Sequence, residues 1–470
     1  MRSSLVAIAL LAALPAAAGA QLAADTAGQV DQVFKAFNRT DVPGCVVGID
    51  RGGKALYRRA YGMANLETGS PLTVESVVES GSVAKQFTAG AIVLLALQGK
   101  LDLDDPVRKY LTHLPEYGTP VTIRMLLHHT SGIRDMWTLF VLAGKAPGTV
   151  LYTMDEALQM VYRQKELNFP PNTQYLYSNS GFLLLAEIVQ QVSDIPLSQF
   201  SREQFFEPLG MTSTQWRDDW NRIIPRRTTA YAPDSSGGFR IDMPYMNVYG
   251  AGGLLTTVDD LARWTAHLDH PVVGGKRWAD TLQHRGRLAD GKEINYGLAL
   301  AITNYRDTRE ISHSGSTGGY RTFLARWPEH GLSLALLCNA ANAATVALGH
   351  QVADLFLGTD RAATGSGSGT GPTTRPPEPT IPPLAAGELA ALAGSYYSGE
   401  LDASYRVAAG DEGLTIAVGG NGPRPFRRTG PDEFKGVGGV EVRFTRNRQG
   451  RPTGFLLSAG RVQNLRFERR

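Results

Sequence analysis

Cysteine is nearly absent. The 470-residue sequence holds two, Cys45 and Cys338, and their spacing excludes a Cys-x-x-Cys redox motif or a cysteine-built zinc site. Each lies in or beside an apolar run with strand character, Cys45-Val-Val-Gly-Ile49 and Leu334-Ala-Leu-Leu-Cys338. In an oxidising compartment they can pair and tie the start of the main domain to its end; two buried free thiols are an equal reading. Charge of one sign is also lacking, since 47 basic residues stand against 44 acidic ones and no basic run alternates with aromatics. Nothing therefore favours nucleic acid as a partner. The nine histidines form no His-Glu-x-x-His or comparable cluster. Adjacent His128 and His129 point apart on any regular element, so both are read as structural and no metal site is expected.

Apolar runs long enough to cross a bilayer are missing as well. Residues 1–20 combine a basic start at Arg2, a short apolar stretch and the small-residue ending Ala18-Gly19-Ala20, which reads as an export signal cut before Gln21. The expectation is a periplasmic or secreted protein with no stable membrane span. Residues 359–385 are dominated by Gly, Ser, Thr and Pro, a composition that cannot bury enough surface to order itself and so reads as a linker. It divides a main domain over 21–358 from a C-terminal segment over 386–470, where strand-like runs separated by turns predict a small antiparallel barrel or sandwich.

What is present is polar and comes in three blocks. In the first, Ser82-Val-Ala-Lys85 precedes an apolar run with helical character. A serine and a lysine three apart share a helix face, so the amine reaches the hydroxyl. A lysine desolvated by Ile92, Val93, Leu94 and Leu95 can lose its proton early enough to take the serine's. In the second, Tyr177-Ser-Asn179 stands before the apolar helix predicted over 181–192. Tyr177 can relay a proton between Ser82 and a leaving group, while the Asn179 amide binds a peptide-like substrate or holds Lys85. The third is His313-Ser-Gly315-Ser316, on a strand edge whose small residues admit a substrate backbone. An acylated Ser82 would find its oxyanion donors in its own amide and that of Ser316, with His313 near the carboxylate or leaving-group side. The glycine turn Gly250-Ala-Gly-Gly253 lacks phosphate-loop spacing and reads as structural or as a cleft wall.

These blocks, in this order, resemble the serine β-lactamase and penicillin-binding superfamily, and within it the class C β-lactamase-like serine hydrolases. That branch includes class C β-lactamases, D-alanyl-D-alanine carboxypeptidases, D-aminopeptidases and carboxylesterases. Leu126-Leu-His-His-Thr-Ser-Gly132 and Pro208-Leu-Gly-Met211 are similar to its connecting segments, so the likeness covers roughly residues 25–358. The resemblance implies an α+β fold: an antiparallel sheet flanked by helices plus a helical subdomain, with the small all-β domain appended. It implies Ser82 as nucleophile, Lys85 as its activator, Tyr177 as proton carrier and two-step hydrolysis through an acyl-enzyme, without metal or cofactor. The chain departs from the branch in carrying His313-Ser-Gly315 where true β-lactamases have Lys-Thr-Gly, exchanging a fixed cation for a switchable imidazole. That favours hydrolysis of a small amide or ester such as a D-amino-acid peptide. The alternatives are a carboxylesterase, a β-lactamase or D-alanyl-D-alanine carboxypeptidase, and a low-turnover penicillin-binding or sensor module in contact with the cell wall.

Overall fold

The computed structural model describes residues 24–146, 148, 150–357, 384–410, 413–419 and 422–470. The export signal and nearly all of the linker expected from composition lie outside the described residues.

A helix α1 (Ala24–Val33) leads into the strands β1 (Cys45–Arg51) and β2 (Lys54–Tyr61). Helical structure then predominates, including α2 (Lys85–Leu97), α3 (Met136–Leu142), α4 (Asn179–Ser193) and α5 (Val258–Asp269). The chain returns through β3 (Ala301–Tyr305), β4 (Thr308–Thr317), β5 (Tyr320–Trp327) and β6 (Leu332–Cys338) to α6 (Thr345–Leu357). The strands form one sheet in the order β3-β4-β5-β6-β1-β2, antiparallel at every pair. Alternation decides what each face meets. Val47, Ile49, Leu334 and Leu336 pack with Val30 of α1, Phe34 just after it and Val352 of α6. Val46, Ala335 and Leu337 belong to the core that Leu261 and Trp264 of α5 share with the helical part. Gly48 keeps that contact close, since a Cβ would stand 3.1 Å from Val258 Cβ and press it outward by a few tenths of an ångström.

Cys45 and Cys338 are directly opposed on β1 and β6 and form a disulfide, which resolves the two readings left open by the sequence. The bridge spans 293 residues of chain. In the chain-entropy account a loop of that size contributes up to about 5 kcal/mol by restricting the unfolded state. Cys45→Ala/Cys338→Ala is accordingly expected to unfold at lower denaturant than the parent, and reductant should shift the parent alone.

The C-terminal segment is a closed barrel of eight antiparallel strands running from Gly394 to Arg469, with Tyr396, Phe434, Phe444, Phe455 and Phe467 buried within it. Closure removes the exposed edges that a small sheet would otherwise present. The barrel docks on the main domain through buried polar contacts. Arg134 Nη1 meets Glu400 Oε1 at 2.8 Å with both side chains almost fully enclosed, and Gln164 Nε2 donates to the Glu400 carbonyl at 3.0 Å. Tyr405 Oη donates to the Leu142 carbonyl at 2.7 Å.

Candidate active site

Ser82 sits in a short 3₁₀ turn, Gly81–Ala84, that runs directly into α2. Gly81 adopts φ +52°, and a Cβ there would fall 2.5 Å from the Ser316 amide nitrogen. A Cβ on Gly315 would fall 2.0 Å from the Ser80 carbonyl and 3.1 Å from the Ser82 nitrogen. Only glycine at these two positions lets β4 press against the turn, and that contact places the amides of Ser82 and Ser316 on one rim.

Lys85 is the first residue of α2 and is fully buried. Its Nζ lies 3.1 Å from Ser82 Oγ, 2.8 Å from Asn179 Oδ1 and 2.5 Å from the Ala251 carbonyl. Burial pushes its pKa well below the ordinary lysine value; Asp135 opposes the shift and Arg461 adds to it. A neutral amine has a pair of N–H donors and a single lone pair. The Ala251 carbonyl can only accept, and so can Asn179 Oδ1, because both the Asn179 backbone N–H and Nδ2 donate to Asp135 Oδ2 at 2.7 Å. A Lys85 amine that has given up its extra proton satisfies those acceptors with its N–H groups, which leaves its lone pair for the Ser82 hydroxyl 3.1 Å away.

Tyr177 lies over this pair, with Lys85 Nζ 4.9 Å from its ring centroid. Among the described residues its buried hydroxyl has no partner of ordinary hydrogen-bond geometry, and burial raises its pKa although the neighbouring Ser82 opposes the rise. In the free protein Tyr177 is therefore held as a neutral phenol beside Ser82. Such a group is suited to passing a proton onward, and a buried lysine of lowered pKa is suited to accepting one.

His313 lines the same cleft, but it is not the switchable group expected from its residue type. Burial, with the Lys85 charge adding to it, lowers its pKa to about 4. Both ring nitrogens are also occupied. The Ser178 amide donates to His129 Nδ1 (3.2 Å), so neutral His129 donates from Nε2 to Tyr296 Oη (3.2 Å). Tyr296 O–H then donates to His313 Nε2 (2.9 Å), and His313 Nδ1–H donates to the Ser314 carbonyl (2.7 Å). Every donor in this chain finds an acceptor only when both imidazoles are uncharged. His129, expected to be merely structural, is thus part of the wall behind the site, aimed there by a left-handed backbone at φ +59°.

The cleft holds about 1210 Å³ and is lined by Ser82, Tyr177, Asn179, His313, Gly315 and Ser316, with Lys85 just beneath Ser82. All the residues singled out from the sequence thus converge. The β4 edge is open over His313–Thr317, because β3 pairs only as far as Ala301 with Ser312. The glycine turn forms a wall through Ala251, Gly252 and Gly253, and its Ala251 carbonyl supplies one of the Lys85 acceptors.

Two participants were not foreseen. Asp135 caps α3 by accepting from the Thr138 amide at 3.2 Å and orients Asn179 through its other oxygen. An aspartate before the apolar run Met136–Leu142 is a cap signal that the sequence offered. Arg461 comes from the barrel, in the tight turn between the strands Pro452–Ala459 and Val462–Arg469, and no local signal in the sequence points it at the cleft.

Comparison with known proteins agrees with this geometry. The family model described as Beta-lactamase matches residues 30–356. Penicillin-binding protein 4* of Bacillus subtilis is 30% identical over 303 residues, covering 61% of this chain and 66% of that protein. D-aminopeptidase of Brucella anthropi is 30% identical over 286 residues, covering 61% of this chain and 53% of that protein. The chain thus spans about half to two thirds of the length of these curated relatives. An octameric penicillin-binding protein homologue from Pyrococcus abyssi superposes with a TM-score of 0.62 at 22% identity, over 94% of this chain and 99% of that one. D-amino acid amidase from Ochrobactrum anthropi gives 0.59 at 21% identity, over 71% of this chain and 98% of that one. At such identities the structural likeness shows the fold alone, but the family match covers more than half of the sequence. The chain belongs to the beta-lactamase family of serine β-lactamase/transpeptidase-like hydrolases.

Proposed function

We propose that the protein is an exported serine hydrolase that forms an acyl-enzyme on Ser82 and cleaves a small amide or ester, such as a D-amino-acid peptide. The observation that carries this reading is the buried Lys85 amine 3.1 Å from Ser82 Oγ, with Asn179 Oδ1 and the Ala251 carbonyl placed to take its N–H groups when it is neutral. In acylation Ser82 Oγ bonds to the substrate carbonyl carbon and its proton moves to Lys85 Nζ. The carbonyl oxygen takes the negative charge between the Ser82 and Ser316 amides. As the C–N or C–O bond breaks, Tyr177 delivers a proton to the leaving atom and is resupplied from Lys85. Water then attacks the ester in the reverse sense and frees Ser82. D-aminopeptidase among the relatives supports the D-amino-acid substrate class, and the Cys45–Cys338 disulfide supports an oxidising location.

Incubation with a mixed panel of D-peptides, nitrophenyl esters and β-lactams, followed by peptide mapping, is expected to place the covalent adduct on Ser82. Ser82→Ala is expected to abolish labelling and lower kcat by roughly 10³-fold or more. A variant that keeps the parental rate on the cleaved substrate removes Ser82 as nucleophile.

A further inference from the structure

Passing a proton through Tyr177 puts a negative charge on a buried phenol. When the C–N bond of a bound amide breaks, its electron pair goes to nitrogen and the nitrogen takes the Tyr177 proton. The phenol oxygen is then negative until Lys85 hands on the proton it took from Ser82. The surroundings of the ring decide how costly that interval is. Burial opposes a phenolate, and the Asp135 carboxylate adds to the opposition. His129 lies 4.1 Å from the ring and His313 6.2 Å, centroid to centroid, and burial keeps both imidazoles uncharged. Tyr175 and Tyr296 have pKa values raised by burial and stay neutral. Among the described residues two cations lie over the ring. One is Lys85, with Nζ 4.9 Å from the centroid, and its charge comes and goes with the transferred proton. The other is Arg461, with Cζ 4.7 Å from the centroid, and its charge is permanent.

The side chain of Arg461 does little to hold the barrel in place. Its Nη1 is 3.8 Å from Asp135 Oδ2, beyond ordinary hydrogen-bond distance, and that oxygen already accepts from the Asn179 amide and Nδ2. The main chain is what clamps the turn: the Arg461 carbonyl accepts from the Asp135 amide at 3.4 Å and from Asn168 Nδ2 at 3.0 Å, and the Gln463 amide donates to Asn168 Oδ1 at 2.7 Å. The guanidinium is thus left 44% exposed over the phenol, on a fixed mount. From there it offsets both the Asp135 charge and the one that forms on Tyr177.

We propose that Arg461, supplied by the barrel, is a positioning residue for Tyr177: its charge steadies the phenol oxygen while the proton is on its way to the leaving atom. The demand differs with the leaving group. An amine must be protonated to depart, whereas para-nitrophenolate leaves with the C–O electron pair and takes no proton, so the proton on Lys85 passes to water. The barrel is then needed for amide cleavage and much less for cleavage of activated esters. This inference rests on the Ser82 reading, with Tyr177 as proton donor.

The test uses the full-length protein with the para-nitroanilide and the para-nitrophenyl ester of N-acetyl-D-alanine, which share acyl group and ring and differ in the atom that leaves. Arg461→Gln is expected to lower the anilide-to-ester ratio of kcat/KM by about 5–30-fold, the range from an exposed to a desolvated cation over an aromatic ring. Arg461→Lys should restore part of that ratio. Equal losses on both substrates would mark a structural role and overturn the proposal. A second readout needs no turnover. Difluorotyrosine incorporated at position 177 of the Ser82→Ala protein is a more acidic phenol, and fluorine NMR follows its ionisation. Adding Arg461→Gln should move that titration upward by about one pH unit, and Arg461→Lys should return it. A titration that Arg461→Gln leaves in place overturns the proposal whether or not Ser82 is the nucleophile. A titration that moves, beside a Ser82→Ala enzyme of parental rate, supports the coupling of Arg461 to Tyr177 and rejects the hydrolytic reading alone. Thermal melts of each variant confirm that the fold is retained.

Discussion

Lys85→Met is expected to lower kcat/KM by roughly 10²–10⁴-fold, the usual contribution of a positioned general base. Methionine keeps most of the buried volume and removes the acceptor for the Ser82 proton. It also leaves Asn179 Oδ1 and the Ala251 carbonyl without their donor, at about 1–3 kcal/mol of stability for each unsatisfied group. A melt therefore accompanies the rate measurement. The pH profile gives an independent reading with a definite sign. In the folded protein the Lys85 pKa lies well below 10.5, chiefly through burial. As pH falls through that lowered value the amine gains a proton, its lone pair disappears and kcat/KM drops; as pH rises the rate approaches a plateau. The acid limb should therefore appear far below the ordinary lysine range, and Lys85→Met should abolish it. Stability moves in the same direction. Between the folded and unfolded pKa values the unfolded chain binds the extra proton, so this group makes the fold more stable as pH rises through that window. A Lys85→Met enzyme with the parental rate and profile would assign the base role to another residue.

Residues close in sequence left the clearest marks. Ser82 and Lys85 share one turn, so their contact follows from helix geometry, and Tyr177 and Asn179 precede an apolar helix that the structure extends to Asn179–Ser193. The barrel strands were visible as separate runs because their alternation is local, and an antiparallel barrel or sandwich followed from them; the choice of the barrel rests on pairing Tyr396 and Tyr397 with Arg469 and Glu468 at the far end of the segment. The charge state of His313 was misjudged for a related reason. Residue type alone suggests an imidazole that titrates near neutrality, but Tyr296 and His129, brought in from distant segments, fix both nitrogens in the uncharged form. Arg461 was invisible because its side chain acquires meaning only once a turn of the barrel is docked against Asp135 and Asn168. Three-dimensional convergence explains each omission. Asp135 is the exception, since its cap position could have been read from the residues that follow it.

Arg217→Met is expected to cost about 3–5 kcal/mol of folding stability, because it strands a charge below the nucleophile turn. Glu79 and Arg217 are both fully enclosed and meet in a forked pair, with Nε and Nη2 each 2.9 Å from a carboxylate oxygen. Glu79 ends the short strand Val78–Glu79, whose partner is Leu254–Thr256, and the next residue, Ser80, donates its amide to the Leu254 carbonyl at 2.8 Å. Trp216, beside Arg217, pairs with Leu254 on the other side of that strand. The ion pair thus clamps together the segments that lead to Ser82 and away from the Ala251 wall. An unpaired carboxylate in this setting would draw in water or a proton, and either change loosens the acceptor that holds Lys85. Arg217→Met should therefore reduce kcat as well as the unfolding midpoint. The double variant Glu79→Leu/Arg217→Met separates charge from packing. Among the described residues Arg217 Nη1 has no hydrogen-bond partner, so the pair's desolvation is incompletely offset. Removing both charges should then recover most of the stability lost in the single variant, with a coupling energy of a few kcal/mol in the double-mutant cycle. Additive losses would show that the two side chains act as independent packing units and that the charge on Glu79 is not what makes Arg217 necessary.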